Sequence, residues 1–300
     1  MTNLSKYLGA LTLALFATLA GAQEALLKPF VLGSKSAGDL AQKVEATKTA
    51  LTGAGFTVVG SYTPYANTTI VVATNDELKT TAAKSENGGF GAAQRVSIVK
   101  VKDEVQVAYA NPAYWANIYR MSGDLKGTAD KLKTALGKIE EFGAKGLSAA
   151  ELRKYHYKMM MPYFDDPDSL VRHSSHEDAL KQVEAGLAAG KQGVTKVYRI
   201  DIPGKKEVVF GVAMKGAESD KFLDEKYIMG QIDFKEVKSA AHLPYEILVT
   251  NEKVLALSAR FRIAASFPDL SMMGDNSFMK IMESPDAIKK ALAYTAGDKD

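Results

Sequence analysis

The chain of 300 residues contains no cysteine. This absence excludes disulfide bonds, zinc–thiolate sites, iron–sulfur clusters, thioether-linked haem, a cysteine nucleophile and a lipidated N-terminal cysteine. Net charge is also scarce: 38 Lys and Arg against 35 Asp and Glu leave +3, too little for a dedicated nucleic-acid binder. No stretch reaches ~18 consecutive apolar residues, so no stable membrane insertion is expected. Catalytic signatures are missing too. There is no G-x-S-x-G or Ser-His-Asp pattern. The glycine-rich run Asn87–Gly91 lacks the lysine and the spacing of a phosphate loop.

What is present is an ordinary globular composition, 46% hydrophobic and 24% charged, which excludes a disordered or fibrous chain. The length suggests one to three domains of ~100–200 residues. Lys6 is the only charge in residues 1–22; it precedes an apolar run from Tyr7 to Leu19 that ends in Ala20-Gly21-Ala22. A basic start, a short apolar stretch and a small-residue site make a secretory signal peptide, with cleavage expected before Gln23 and a periplasmic or secreted destination. Exported proteins often rely on disulfides. Without cysteine, stability must come from packing.

Beyond residue 22 the chain reads as two similar halves. In the first, Lys28–Leu32 suggests an edge strand. Ser36-Ala-Gly-Asp39 offers an N-cap to a helix carrying Leu40, Val44, Thr47 and Leu51, and Gly53 and Gly55 end it. Strands follow at Phe56–Tyr62 and Thr69–Ala73, then a short helix over Asp76–Lys84. Val96–Val101 and Val105–Tyr109 form a hairpin, and Thr128–Ile139 an amphipathic helix. In the second half, Ser174–Glu177 reads as a capping box before a helix with Leu180, Val183 and Leu187. Strands are expected at Val194–Ile202 and Val208–Met214. A second hairpin pairs Tyr245–Thr250 with Val254–Ile263, where apolar and polar residues alternate and Arg260 and Arg262 take the polar face. Ser284-Pro285-Asp286 starts the last helix. Val105 and Val107 then match Leu255 and Leu257. The fold expected is α+β: two tandem copies of a small antiparallel-sheet domain of the β-α-β4-α kind, helices on one side of each sheet. The boundaries are 23–140 for the first copy, 141–172 for a connecting helix and strand, and 173–300 for the second copy. The second copy carries insertions near 215–238 and 271–282.

Several pieces carry a family resemblance. They are Leu51–Val58, Thr69–Asn75 and Val105–Trp115 in the first half, and His242–Val249, with Leu243-Pro244 entering the hairpin, in the second. These resemble the bacterial and archaeal family catalogued as domain of unknown function 302. The resemblance implies an antiparallel sheet with two helices on one side, in single or tandem copies, and implies no activity.

The unusual residue types concentrate between the halves. Tyr155, His156, Tyr157, Tyr163 and Asp165, with His242 and Arg260, are the candidate ligand-binding residues, since aromatic clusters and an arginine can line a pocket. His156, Met159, His173 and His176 are the candidate metal ligands, and in an exported chain without thiols such a site would suit copper. His173 falls before a helix and His176 just inside it, so the two do not share a helical face. Adjacent Asp165 and Asp166 point to opposite faces of an extended chain and cannot act as a catalytic pair. The leading reading is a non-enzymatic module for an unidentified small-molecule or protein ligand. The alternatives are copper handling and an enzyme with an unrecognised site. Association into a homo-oligomer is left open.

Overall fold

The computed structural model describes residues 25–156, 161–217 and 220–299. The first half runs β1 (Phe30–Ala37), α1 (Leu40–Gly53), β2 (Thr57–Tyr65), β3 (Thr68–Thr74), α2 (Asp76–Ala83), β4 (Gln94–Val101), β5 (Glu104–Ala110), α3 (Pro112–Ile118) and α4 (Lys126–Leu136). After β6 (Glu140–Phe142) and α5 (Ala149–Arg153), the second half repeats the order. It comprises β7 (Asp168–Arg172), α6 (His176–Ala188), β8 (Val194–Asp201), β9 (Glu207–Met214), α7 (Glu225–Ile232), β10 (Tyr245–Thr250), β11 (Lys253–Ala256), α8 (Ala259–Ser266) and α9 (Ser284–Thr295). The sheet orders are β2-β3-β4-β5-β1-β6 and β7-β11-β10-β9-β8, all neighbours antiparallel. Apart from β6, the orders are the same. The fold is α+β with two antiparallel sheets, each with helices alongside.

Local chemistry accounts for most elements. Asp39, Asn75, Ser175 and Asp224 each cap a helix by accepting a backbone N–H, which satisfies donors that the first turn leaves orphaned. Ser148 and Glu151 form a reciprocal capping box on α5. Helices α1 and α4 cover one face of the first sheet, α6 and α9 one face of the second. The other faces of the two sheets turn toward each other. Strands β3, β4 and β10 are therefore buried along nearly their whole length, and one continuous core joins both halves.

Several expected boundaries move. The first strand is interior, flanked by β5 and β6, and not an edge. The expected strand Val254–Ile263 stops at Ala256, and its remainder is helix α8. Arg260 and Arg262 are thus not neighbours on a solvated strand face. Arg262 is 1% exposed, whereas Arg260 pairs with Asp286 at the surface. With β11 this short, Thr250 faces Lys253 and Leu248 faces Leu255. In the longer first hairpin, Ser97 faces Ala108 and Val99 faces Gln106. The match of Val105 and Val107 to Leu255 and Leu257 is therefore off register, and Val107 corresponds to Val254. Helix α4 ends before Ile139, which is 60% exposed. Ser175, not Ser174, caps α6, accepting from Asp178. The 215–238 region is not all insertion, because it contains α7, the counterpart of α2. Among the described residues no helix is long and apolar enough to cross a membrane.

Candidate binding cleft between the halves

The register places equivalent residues of the two halves against each other. Gly60, Val72 and Arg95 form one cross-strand row in the first sheet; Tyr198, Gly211 and Glu246 form the matching row in the second. Both rows follow a bulge at the same place, Val59 and Val197. Gly60 abuts Tyr198, whose ring lies on Gly211. A Cβ on Gly60 would sit 2.4 Å from the Val197 carbonyl oxygen. Arg95 reaches its own equivalent, Glu246, at 3.5 Å. Trp115 and Arg262, the fourth residues of α3 and α8, also meet, the guanidinium 5.9 Å from the ring centre. Residues that contact their own equivalents mark an isologous, two-fold type of interface.

This contact holds a buried ionic cluster. Arg262 donates to Tyr119 Oη at 2.8 Å and to the Pro244 carbonyl at 3.0 Å, bonds the His242 carbonyl, and pairs with Glu246 at 2.9 Å. Arg95 stacks on Trp115 at 4.5 Å, and its Nε has no hydrogen-bond partner among the described residues. Burial, then the nearby Arg262 charge, lowers the Arg95 pKa. His242 lies inside this cluster, fully buried. Its Nδ1 engages Ser266 Oγ at 2.7 Å and its Nε2 engages Tyr245 Oη at 3.1 Å. Burial and then the two arginines hold its pKa well below the usual histidine range. His242 is therefore a neutral core residue with both nitrogens used, and it is not available to a ligand.

The other candidates separate as well. His156 packs against Tyr163 with the ring centres 4.5 Å apart and the planes tilted and, with Arg260, Met161 and Asp166, lines a surface cavity of about 490 Å³. Tyr155 donates to the Ala264 carbonyl at 3.0 Å. Asp165 pairs with Arg120 at 2.5 Å and lines a different, larger cleft. His173 uses Nε2 on the Ala296 carbonyl and His176 uses Nδ1 on the Asn251 carbonyl, both at 2.9 Å. Among the described residues no group of three or more His, Asp or Glu side chains could hold a metal. Tyr157 and Met159 lie outside the described residues.

The larger cleft, about 730 Å³, opens between the halves. Its floor is a cross-strand row of the second sheet, Arg172, Lys253, Thr250 and Glu207. Glu86 and Asn87 from the first half form one wall, and Asp165 and Pro167 form another. Most of its acids are engaged. Asp165 holds Arg120, Glu252 holds Arg172, and buried Glu207 accepts the Gly89 N–H at 2.6 Å. Neither Lys206 nor Lys253 makes an ion pair among the described residues; of the lining acids, only Glu86 is likewise unpaired.

The matching row of the first sheet is Lys35, Gln106, Val99 and Thr68. There the space is closed by the chain. Gln106 donates to the Glu236 carbonyl and accepts from the Lys238 N–H, both at 3.0 Å, and Lys35 pairs with the Glu236 carboxylate at 3.5 Å. Loop length explains the difference. Asp233–Ser239, after α7, is long enough to reach across, whereas the equivalent Lys84–Asn87, after α2, is shorter and leaves the second row uncovered. Of the sequence candidates, Asp165 lies on this cleft; sequence reasoning missed the rest of it because those residues are ordinary turn and strand residues, brought together only by the docking of the halves. The one signal available was the extra length near 215–238.

Comparison with known proteins gives no further assignment: no family model, no curated protein and no solved structure matches the chain.

Proposed function

We propose that this chain is an exported, non-enzymatic binding module made of two copies of a domain like that of the unknown-function family 302. The observation that carries the binding reading is the asymmetry of the two equivalent rows. One is filled by the chain's own loop, and the other forms an open cleft with unpaired charges. A merely structural role would give no reason to leave the second row uncovered. Residues from both halves line the cleft, so the docked pair, and not either half, would form the site. Ligand sites favour such junctions between units.

Native mass spectrometry of the intact protein, purified from the cells that make it, tests this reading. A co-purifying molecule or partner is expected with the unaltered chain and should be lost in Lys253→Glu. That exposed substitution alters the cleft floor and leaves the core untouched. No bound species in either sample would overturn the proposal.

A further inference from the structure

The closed row shows what its open counterpart is shaped to hold. Gln106 grips the backbone on both sides of Val237: its amide donates to the Glu236 carbonyl and accepts the N–H two residues later, from Lys238. Lys35, beside it on β1, takes the carboxylate of the residue whose carbonyl is gripped, Glu236. In the second sheet the same two positions are Lys253 and Arg172. A lysine in place of the glutamine retains a donor for a carbonyl, and it adds a charge. Arginine in place of Lys35 retains the cation and gains a planar fork suited to a carboxylate. Arg172 is already positioned by Glu252, much as Lys35 is by Glu104. The cleft is therefore the first-half arrangement with its peptide removed and the Lys35–Gln106 pair replaced by two cations.

We infer that the open cleft binds a short peptide segment carrying an acidic residue, supplied by a partner protein. The carboxylate lies against Arg172 and Lys253, and the adjoining backbone lies along β11. This inference rests on the binding reading above and adds the class of ligand. Glu86, on the opposite wall, faces the remainder of the segment and favours a basic residue there. The chain's own filling segment has that composition, with Lys235 and Lys238 flanking Glu236.

The probe is a synthetic hexapeptide copying residues 234–239, Phe-Lys-Glu-Val-Lys-Ser. Its control replaces the glutamate with lysine. The full chain already fills the first row in cis, so an added peptide finds only the second row free. Amide chemical shifts are followed by NMR during titration of the intact protein. The glutamate peptide should shift the amides of Ser169, Asn251 and Leu255, and the control should bind at least tenfold more weakly. Lys253→Glu should reverse that preference. Equal binding of both peptides, or shifts confined to other surfaces, overturns the inference. If neither peptide binds while native mass spectrometry still finds a species lost in Lys253→Glu, the peptide is wrong and the binding reading survives. If neither peptide binds and no such species exists, both fall.

Discussion

At the scale of single residues, the two buried arginines are not alike, and their partners decide which one matters. Arg262 has a carboxylate, a phenol and two carbonyls around its fork. The Nε of each lacks a hydrogen-bond partner among the described residues, but Arg95 otherwise has only bonds of 3.4 and 3.5 Å, its stacking on Trp115, and the repulsion of Arg262. Removing Arg262 takes away the 2.9 Å partner of Glu246 and the donor to Tyr119 and two carbonyls, and breaking a buried pair costs about 3–5 kcal/mol, whereas removing Arg95 gives up only long hydrogen bonds and relieves its repulsion with Arg262. Urea unfolding should therefore show Arg262→Met destabilised by about 3–5 kcal/mol and Arg95→Met by less than about 1 kcal/mol. Equal losses would mean that Arg95 is as well satisfied as Arg262.

Asp233, at the root of the filling loop, offers a pH test. Burial raises its pKa from 3.8 to about 6, although Oδ1 accepts the Ser239 N–H at 2.9 Å. A carboxyl whose folded pKa lies above its unfolded value destabilises the fold wherever it is charged. The penalty is absent below about pH 4, grows as pH rises from 4 to 6, and is complete above about 6. Asp233→Asn keeps the acceptor oxygen and removes the charge. Its melting temperature should exceed that of the unaltered protein at pH 7.5 by about 2–4 °C for each kcal/mol relieved, and the gap should close at pH 4.5. A gap independent of pH would assign the effect to something other than this carboxyl.

At the scale of elements, capping and β-branched runs were legible in the sequence, and so were the first hairpin, the helices around Val44 and Leu187, and the start of α9. Each rests on interactions within a few residues. Alternation failed at Leu255–Ile263. A short helix buried on most sides places apolar residues at almost every spacing, so Phe261 and Ile263 satisfied a two-residue period by accident. Arg262 broke the assumption that charge marks a solvated face, because its partners Glu246 and Tyr119 come from distant elements. Helices α3 and α7 were missed because each is only seven or eight residues long; in α7 the apolar stripe Ile228, Met229 and Ile232 spans barely two turns and its fourth buried member is a charged residue, Glu225. The candidate site was largely illegible because the cleft depends on how one sheet sits on the other.

The β2–β8 contact is where that placement is most constrained. Gly60 and Tyr198 occupy equivalent positions with opposite volumes, and Gly211 supplies the space for the tyrosine ring. The atom opposing a new side chain at Gly60 is a backbone carbonyl, which cannot rotate away. Overpacking of this kind costs typically about 1–3 kcal/mol. Gly60→Val should lower stability to urea by at least about 2 kcal/mol, while the same change at Gly204, where a Cβ meets nothing within 4 Å but φ is +71°, reports backbone strain alone. If Gly60→Val is no worse than Gly204→Val, the halves are not in the close contact described.

At the scale of the whole molecule, the two sheets behave as a dimer written on one chain, and covalent linkage is what permits its asymmetry. In a symmetric pair, a residue on the two-fold axis must meet its own kind. Two arginines or two tyrosines could not fill the places where Arg95 meets Glu246 and Gly60 meets Tyr198. Two sequences can be complementary there, and can also differ in a loop, closing one cleft and leaving the other open. A core continuous across the contact, with its ionic pairs buried between the sheets, implies that the halves unfold together. The single tryptophan makes this measurable, because Trp115 sits in the contact beneath Arg95, close to Arg262, its indole N–H on the Pro29 carbonyl at 2.9 Å. Its fluorescence reports the docking of the halves, whereas far-UV circular dichroism reports the helices and strands of both. In urea the two signals should follow one superimposable transition in the unaltered protein. In Gly60→Val the fluorescence change should come at lower urea than the loss of ellipticity, because docking is weakened while each sheet keeps its own helices. An early fluorescence transition in the unaltered chain would show instead that the halves separate before either unfolds, and the cleft would then exist only in part of the population.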